Sequence, residues 1–145
     1  MPSVREQVLT ALYTKLKALE SSSVKVYRNL DKPQKLPSLG IIIVRDGTAG
    51  DPEVLLSPLT YIYEHSALLE IMTQHADAAT RDSQLDSLLA SIGGIIAANR
   101  SLDNLAEWME ARAPEFLEEP IEGAATVKSA TVPVMIRFFT SNPLT

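Results

Sequence analysis

The feature that most constrains this chain is a pair of long segments with the alternating pattern of β-strands. They span residues 61–74 and 126–141. Successive side chains of a strand point to opposite faces of a sheet, so alternate apolar residues mark the face that lies in a core. In the second segment these residues include Val132, Val134, Ile136 and Phe138. Pro133 lies among them and predicts a sheet edge or a bulge, because proline cannot donate to a ladder.

The first long segment predicts two faces of different character. Ala67, Leu69 and Ile71 share the face that lies in the core. The opposite face carries polar residues together with Leu68 and Met72. A neighbour that covers part of this mixed face would explain the pattern.

Two amphipathic helices are predicted, one near the N-terminus and one at residues 76–99. The first begins as a capping box, in which the Ser3 hydroxyl accepts from the Glu6 amide and the Glu6 carboxylate reaches back. The second contains Gly93 and Gly94, each of which costs about 1 kcal/mol relative to alanine in a helix interior. Close approach of the helix to the sheet would explain this pair. The apolar stripes are Val4, Val8, Ala11, Leu12, Leu16 and Leu19 in the first helix, and Leu85, Leu88, Leu89, Ile92, Ile95 and Ile96 in the second.

The remaining segments complete a small domain. Shorter strands are predicted at residues 24–27, 40–45, 54–56 and 112–117, a loop with two prolines at 30–38, a turn at 46–47 that extends into a polar loop to 53, and an acidic loop at 118–123. Residues 101–110 predict a capped turn or a short third helix, in which Trp108 and Met109 are either satellite core or interface anchors. The order α-β-β-β-β-α-β-β predicts an α+β fold, with two helices packed on one face of a mostly antiparallel or mixed sheet.

Composition limits the size and the chemistry of the protein. The 145 residues fit one domain over residues 1–145. The net charge of −5 argues against non-specific nucleic-acid binding, which needs clustered Lys and Arg. The absence of cysteine excludes disulfides, thiolate nucleophiles and Cys-ligated metals. The N-terminal residues lack a signal-peptide pattern, and apolar runs such as 41–44 are far shorter than the ~20 residues that cross a bilayer, so we expect a soluble protein.

No group of residues has the spacing of a catalytic or metal centre. His65 and Glu64 are adjacent in a strand and point to opposite faces, which favours a hydrogen-bonded or interfacial histidine. His75 and Asp77 would supply only two of the three or more ligands that a metal site needs, and Asp77 is more simply a charge at a helix N-terminus. The serines lack the G-x-S-x-G context of a hydrolase nucleophile.

Two polar segments are candidate contacts for a partner. Residues 46–51 contain two carboxylates and two glycines, but neither the ligands of a calcium loop nor the Gly-Lys-Ser/Thr of a phosphate loop. This segment is therefore a flexible hairpin loop or a partner contact. The second segment contains Glu115, Glu118, Glu119 and Glu122. It is either a solvated loop or an acidic rim that meets a basic partner or lines a pore.

Several local strings follow one another in a characteristic order. They are residues 24–29 after the first helix, 43–47, 69–71, the helix around 85–96, the turn 99–102 leading to Leu105, and the closing 137–140. In this order and spacing they resemble the tail terminator family of long-tailed bacteriophages, which includes related proteins of prophages and gene-transfer particles. The resemblance covers nearly the whole chain.

This resemblance implies a structural protein of a virion. Terminators of this family form a six-fold ring at the head-proximal end of the finished tail tube, where the ring ends tube polymerisation and offers a surface for head–tail joining. The implied partners are further copies of the chain in a homo-oligomeric hexamer, the major tail tube protein, the head–tail connector or joining protein, and the tape measure protein. DNA would pass through the channel only as cargo, and no membrane is involved. Family members perform no catalysis and carry no cofactor, and the protein would be located in the virion tail after assembly in the host cytoplasm.

A ring subunit needs an exposed strand edge or mixed sheet face, together with long loops for axial contacts. The residues predicted to contact subunits or partners are Arg45, Asp46, Asp51, Leu68, Met72, Glu115, Glu118, Glu119 and Glu122. An acidic channel would also keep DNA from sticking. The alternatives are another head–tail joining or tail-completion subunit, a toxin–antitoxin or adaptor module, and a small ligand-binding enzyme, which would need a deep pocket with convergent polar groups.

Overall fold

The computed structural model describes residues 1–31 and 35–145, and in this part the chain forms two helices and seven strands. The elements are α1 (Val4–Lys17), β1 (Val24–Arg28), β2 (Gly40–Thr48), β3 (Glu53–Leu56), β4 (Leu59–Gln74), α2 (Ala78–Ala98), β5 (Trp108–Ala111), β6 (Glu115–Glu119) and β7 (Val127–Thr140). Of the predicted loop at residues 30–38, the part around Pro33 lies outside the described residues. The predicted α+β fold is confirmed. None of the helices in the described ranges is both long and apolar enough to cross a membrane.

The strands form one mixed sheet in the order β1-β2-β4-β7-β5. At the ends of the long strands, β3 pairs with β4 and β6 pairs with β7. β1 runs parallel to β2, and the other pairs are antiparallel. The two long predicted strands pair with each other from Tyr61 opposite Thr140 to Gln74 opposite Val127. They therefore form the centre of the sheet.

Both helices pack on the same face of the sheet, and the core lies between them and the strands. The alternation predicted for β4 is confirmed, because Ala67, Leu69 and Ile71 are fully buried. Other core residues are Val8, Leu12 and Leu16 of α1, Leu85, Ile92 and Ile96 of α2, and Val26, Ile42, Val132, Val134, Ile136 and Phe138 of the strands. We call the opposite side, which carries Leu68 and Met72, the helix-free face of the sheet.

The N-terminal cap of α1 agrees only in part with the predicted capping box. The Ser3 hydroxyl accepts from the Glu6 amide at 3.1 Å. The Glu6 carboxylate does not reach back; it pairs with Arg28 of β1 at 2.6 Å. A charged partner on the neighbouring strand thus replaces the reciprocal hydrogen bond.

The interpretation of Gly93 and Gly94 as a close approach to the sheet is wrong. Both residues are exposed, and a Cβ added at either position would meet no atom within 4 Å. The helical period instead turns their neighbours Ile92 and Ile96 into the core. The glycines therefore lie on the outer side of α2.

β2 continues through the predicted turn at residues 46–47. The pairing with β4 shifts register between Arg45 and Thr48, which is the mark of a β-bulge. Gly47 has a φ of +69°, and a Cβ at this position would lie 1.8 Å from the carbonyl oxygen of Ser66. Only glycine fits there, so its role is a bulge inside a strand and not a hairpin turn.

After α2 the chain forms a turn and then a strand. A short third helix had been one of the two predictions for this segment. Leu102, Asp103 and Asn104 have φ angles of 48°, 56° and 69°. A right-handed helix cannot contain three left-handed residues, so the chain forms a turn instead. It then enters β5, where Met109 is buried and Trp108 is half exposed.

β7 lies in the interior of the sheet, and the edge or bulge predicted at Pro133 corresponds to a local break in the strands beside it. Pro133 pairs with Leu68 of β4, and its carbonyl oxygen accepts from the Arg112 amide at 2.8 Å. Arg112 lies between the end of β5 and the start of β6. The nitrogen of the proline, which has no hydrogen to donate, therefore faces the interruption between these two strands.

Candidate functional site

The two histidines have structural roles. His65 is 2% exposed, and its Nε2 atom contacts the carbonyl oxygen of Asp46 at the β2 bulge, which agrees with the prediction of a hydrogen-bonded histidine. Burial lowers the pKa of His65, and the hydrogen bond with Asp46 opposes this effect. His75 accepts from the Asp77 amide at 2.9 Å, and Asp77 caps α2 by accepting from the Thr80 amide at 2.9 Å. Within residues 1–31 and 35–145, no three His, Asp or Glu side chains are placed to hold a metal ion.

Asp46 was predicted as a partner contact, and the structure places it in an internal network. Its carboxylate accepts from Arg28 at 3.1 Å and from the side chain of Asn29 at 3.1 Å. Arg28 also donates to Glu6 of α1, and this hydrogen bond is the main reason why the pKa of Glu6 is lowered. Asp46 thus joins β1 to β2 and, through Arg28, to α1.

Three other predicted contact residues come together on the helix-free face. Arg45 of β2 lies opposite Leu68 of β4. Glu70 and Met72 follow Leu68 at alternate positions of β4, so their side chains share its face. Arg45 and Glu70 form an ion pair at 3.2 Å. Leu68 and Met72 are half-buried between their strand neighbours. The result is a partly exposed surface with two apolar side chains beside one charge pair, which suits contact with another protein.

Asp51 lies apart from this surface, in a cleft of about 400 Å³ at the far end of the sheet. Arg137 lines the same cleft and lies 3.2 Å from Glu107, 3.3 Å from Glu64 and 3.7 Å from Glu53. The pKa of Arg137 is raised by these carboxylates, and the hydrogen bond with Glu107 makes the largest contribution. The guanidinium already occupies the position that a bound cation would take among them.

The four glutamates of the acidic segment do not form one cluster. Glu115, Glu118 and Glu119 lie in β6, so the predicted loop is wrong for Glu118 and Glu119. Strand alternation places Glu115 and Glu119 on the helix-free face, and Glu118 on the side of the helices, where it lies 3.5 Å from buried Arg81. Glu122 is exposed in the turn that follows. Glu118 therefore has a structural partner, whereas Glu115 and Glu119 point away from the body of the domain.

A groove of about 660 Å³ lies between α2 and the end of β1. Among the described residues its lining is apolar, hydroxyl-bearing or amide: Leu19, Ser21, Val24, Leu39, Ala79, Thr80, Ser83, Gln84, Ser87, Leu88 and Ser91. None of these side chains titrates between pH 2 and 12. The described part of the lining thus contains no acid, base or cationic group.

A surface that the sequence analysis missed is the tip of the β3–β4 hairpin. Val54, Leu55, Leu56 and Leu59 are between 44% and 80% exposed, and we call these four residues the hairpin tip. Phe139, opposite Ile62 on the adjoining β7, is 47% exposed. In the sequence, the predicted strand at residues 54–56 consists of consecutive apolar residues and has no polar face. It indicates a strand that is covered on both sides, and nothing in the described chain covers it.

Comparisons with known proteins identify no family for this chain. No protein-family model matches the chain, and no curated protein matches it. A chain in the solved structure titled "Virion of native gene transfer agent (GTA) particle" is similar to it, with 13% sequence identity and a TM-score of 0.47. The alignment covers 90% of this chain and 93% of that chain.

Proposed function

We propose that the protein is a structural subunit of a phage-like virion and acts as a tail terminator. Six copies would form a ring on the head-proximal end of the tail tube, end tube polymerisation and present a surface for head–tail joining. The observation that carries this proposal is the hairpin tip, an apolar projection at one end of the sheet. The resemblance of the sequence to tail terminators supports it as well.

The hairpin tip supports a function in assembly because of its shape and chemistry. Leu55, Leu56 and Leu59 lie where β3 and β4 pair beyond the end of the β4–β7 ladder, and Val54 lies beside them opposite Tyr61. Contiguous exposed apolar surface on a soluble protein marks a contact with another protein. In this proposal the hairpin tip inserts into the tube end or into the next subunit, where burial of the leucines would stabilise the contact.

A ring requires that the two surfaces which meet are different, because only a head-to-tail contact repeats around an axis. The subunit offers such surfaces: the hairpin tip at one end, and the helix-free face with Arg45, Leu68 and Met72 on another side. We propose that these surfaces and the loop with Asp51 make the subunit and axial contacts. The tube protein, the connector and the tape measure protein would be the partners, with DNA as cargo.

The test is negative-stain imaging with class averaging of the purified protein, alone and mixed with purified tail tubes. We expect six-fold rings with an open centre, or caps on tube ends. The double variant Leu55→Glu/Leu56→Glu should lose both, because it places carboxylates in the apolar contact. Leu144→Glu is the matched control, since Leu144 is 81% exposed and lies outside the hairpin.

Three outcomes would contradict this proposal or part of it. If the wild-type protein forms neither rings nor capped tubes, the terminator function is excluded. Binding to the head connector without binding to tube ends would favour the alternative of a head–tail joining subunit. Rings that persist in the double variant would show that the hairpin tip is not the contact.

A further inference from the structure

We propose that the outer edge of β6 is a docking site for an extended, basic segment of another protein, which would add one strand to the sheet beside β6. The segment would carry two basic residues four positions apart and an apolar residue midway between them. This inference concerns a different surface from the hairpin tip and does not depend on ring formation.

The first step is that the opposite edge of the sheet is closed. The Val26 amide of β1 donates to the Glu20 carboxylate at 3.0 Å, and its carbonyl oxygen accepts from Lys17 at 3.2 Å. The carbonyl oxygen of Val24 accepts from the Ser21 amide at 2.9 Å. The end of α1 and the following turn thus occupy the outward backbone groups of β1. Another strand cannot pair there without displacing them.

The second step is that β6 lacks such a cover. Within the described ranges, its backbone pairs with β7 on one side, and no residue pairs with its other side. Alternate amides and carbonyl groups of an edge strand point outward and can pair with an added strand. Phe116 and Leu117 lie on opposite faces of this edge and are 56% and 64% exposed. An added strand would cover apolar surface on both faces.

The third step concerns charge. Glu115 and Glu119 lie on the helix-free face of β6 with Leu117 between them, and neither forms an ion pair within the described residues. Glu118 faces the other way and pairs with Arg81. Residues directly opposite each other in neighbouring strands interact, and opposite charges there are favourable. A partner strand therefore fits best with Lys or Arg opposite each free glutamate and an apolar residue opposite Leu117.

A second copy of this chain fits poorly on the same edge in the register centred on Leu117, where the outward groups of both strands would meet. Antiparallel pairing of two β6 strands about Leu117 would set Glu115 of one copy opposite Glu119 of the other, twice. Like charges in such positions destabilise the pair. The basic strand of the chain itself, β1 with Lys25 and Arg28, is closed by the contacts of Val26. The chemistry thus favours a segment from a different protein.

The test uses the full chain, isotopically labelled for NMR, and a synthetic peptide with blocked ends and the sequence Gly-Thr-Arg-Thr-Val-Thr-Arg-Thr-Gly. In low salt we expect saturable binding, with the largest amide shifts in β6. Two control peptides separate the causes. One has glutamate in place of both arginines and should not bind. The other has N-methyl groups on alternate amides, in either register, and one register should abolish binding because it removes the strand pairing.

The matching protein variant is Glu115→Gln/Glu119→Gln, which leaves Glu118 and its contact with Arg81 in place. Loss of two cross-strand ion pairs should weaken peptide binding about 2- to 30-fold. Asp31→Asn/Asp103→Asn removes the same charge from exposed loops away from β6 and should leave binding unchanged. The proposal would be overturned if the peptide did not bind saturably, or if all N-methylated peptides bound equally. It would also be overturned if the two protein variants had equal effects.

Discussion

The two lateral edges of the sheet end in opposite ways. At β1, side chains from the end of α1 bond to the outward amide and carbonyl group of Val26. At β6, the outward groups have no partner among the described residues, and the strand carries Glu115, Glu119 and the exposed Leu117. Exposed edges invite pairing with other chains, and inserted charges or a covering segment prevent it. Among the described residues, one edge is covered and the other is open but charged, which under the proposal above would favour a basic partner strand.

The prediction with the largest expected effect concerns the bulge that supports the closed edge. Gly47→Ala should lower the free energy of unfolding by more than about 2 kcal/mol, because a non-glycine residue is strained at positive φ and its Cβ would collide with the backbone. The bulge also places Asp46 beside Arg28. Urea unfolding measures the change. Gly50→Ala is the control, since Gly50 has a φ of +66° but open space around it. An equal loss in both variants would show that crowding at Gly47 is unimportant.

The second prediction compares the two edges directly. Glu20→Ala should lower the free energy of unfolding by about 1 kcal/mol, because the Val26 amide loses its acceptor. Glu20→Gln keeps an acceptor and should recover most of that loss. Leu117→Thr on the open edge should change stability by less than about 0.5 kcal/mol, as an exposed substitution does. Equal effects of Glu20→Ala and Leu117→Thr in urea unfolding would contradict the distinction between the edges.

The third and smallest effect is local and depends on pH. The hydrogen bond from the Val26 amide, followed by that from Lys17, lowers the pKa of Glu20 below its ordinary 4.5. The carboxylate therefore stabilises the closed edge above pH 4.5, and this stabilisation is lost as the pH falls through the lowered pKa. We expect hydrogen-exchange protection of the Val26 amide, corrected for intrinsic rates, to fall in that range. The outward amides of β6 should be weakly protected at every pH. Protection of Val26 that does not change with acidification would refute the role of Glu20.

The elements that could be predicted are those whose signal is local. Burial of Leu69 and Ile71 follows from strand alternation, and the first turn of α1 follows from Ser3 at its cap. Gly47 was recognised as a turn residue, but a bulge and a turn both use a glycine at positive φ. The sequence could not distinguish them, since the difference is the position of Ser66 on another strand.

The candidate contact residues show the same limit. Arg45, Leu68 and Met72 share a face because they alternate along paired strands. The acidic segment was predicted as a loop from Glu118 onward, whereas pairing with β7 makes it a strand and sends Glu118 to Arg81. Whether these residues contact a partner stays a prediction.

The sequence by itself determined the α+β class, the two long strands, the helical stripes and the absence of disulfide chemistry. These depend on periodicity and composition, which neighbouring residues carry along the chain. Only the tertiary structure decided which edge is closed, which glutamates are free and where the hairpin tip projects. Those features depend on contacts between separate elements, such as Glu20 with Val26 and Arg81 with Glu118. No local pattern encodes them, because they form only when packing brings the elements together.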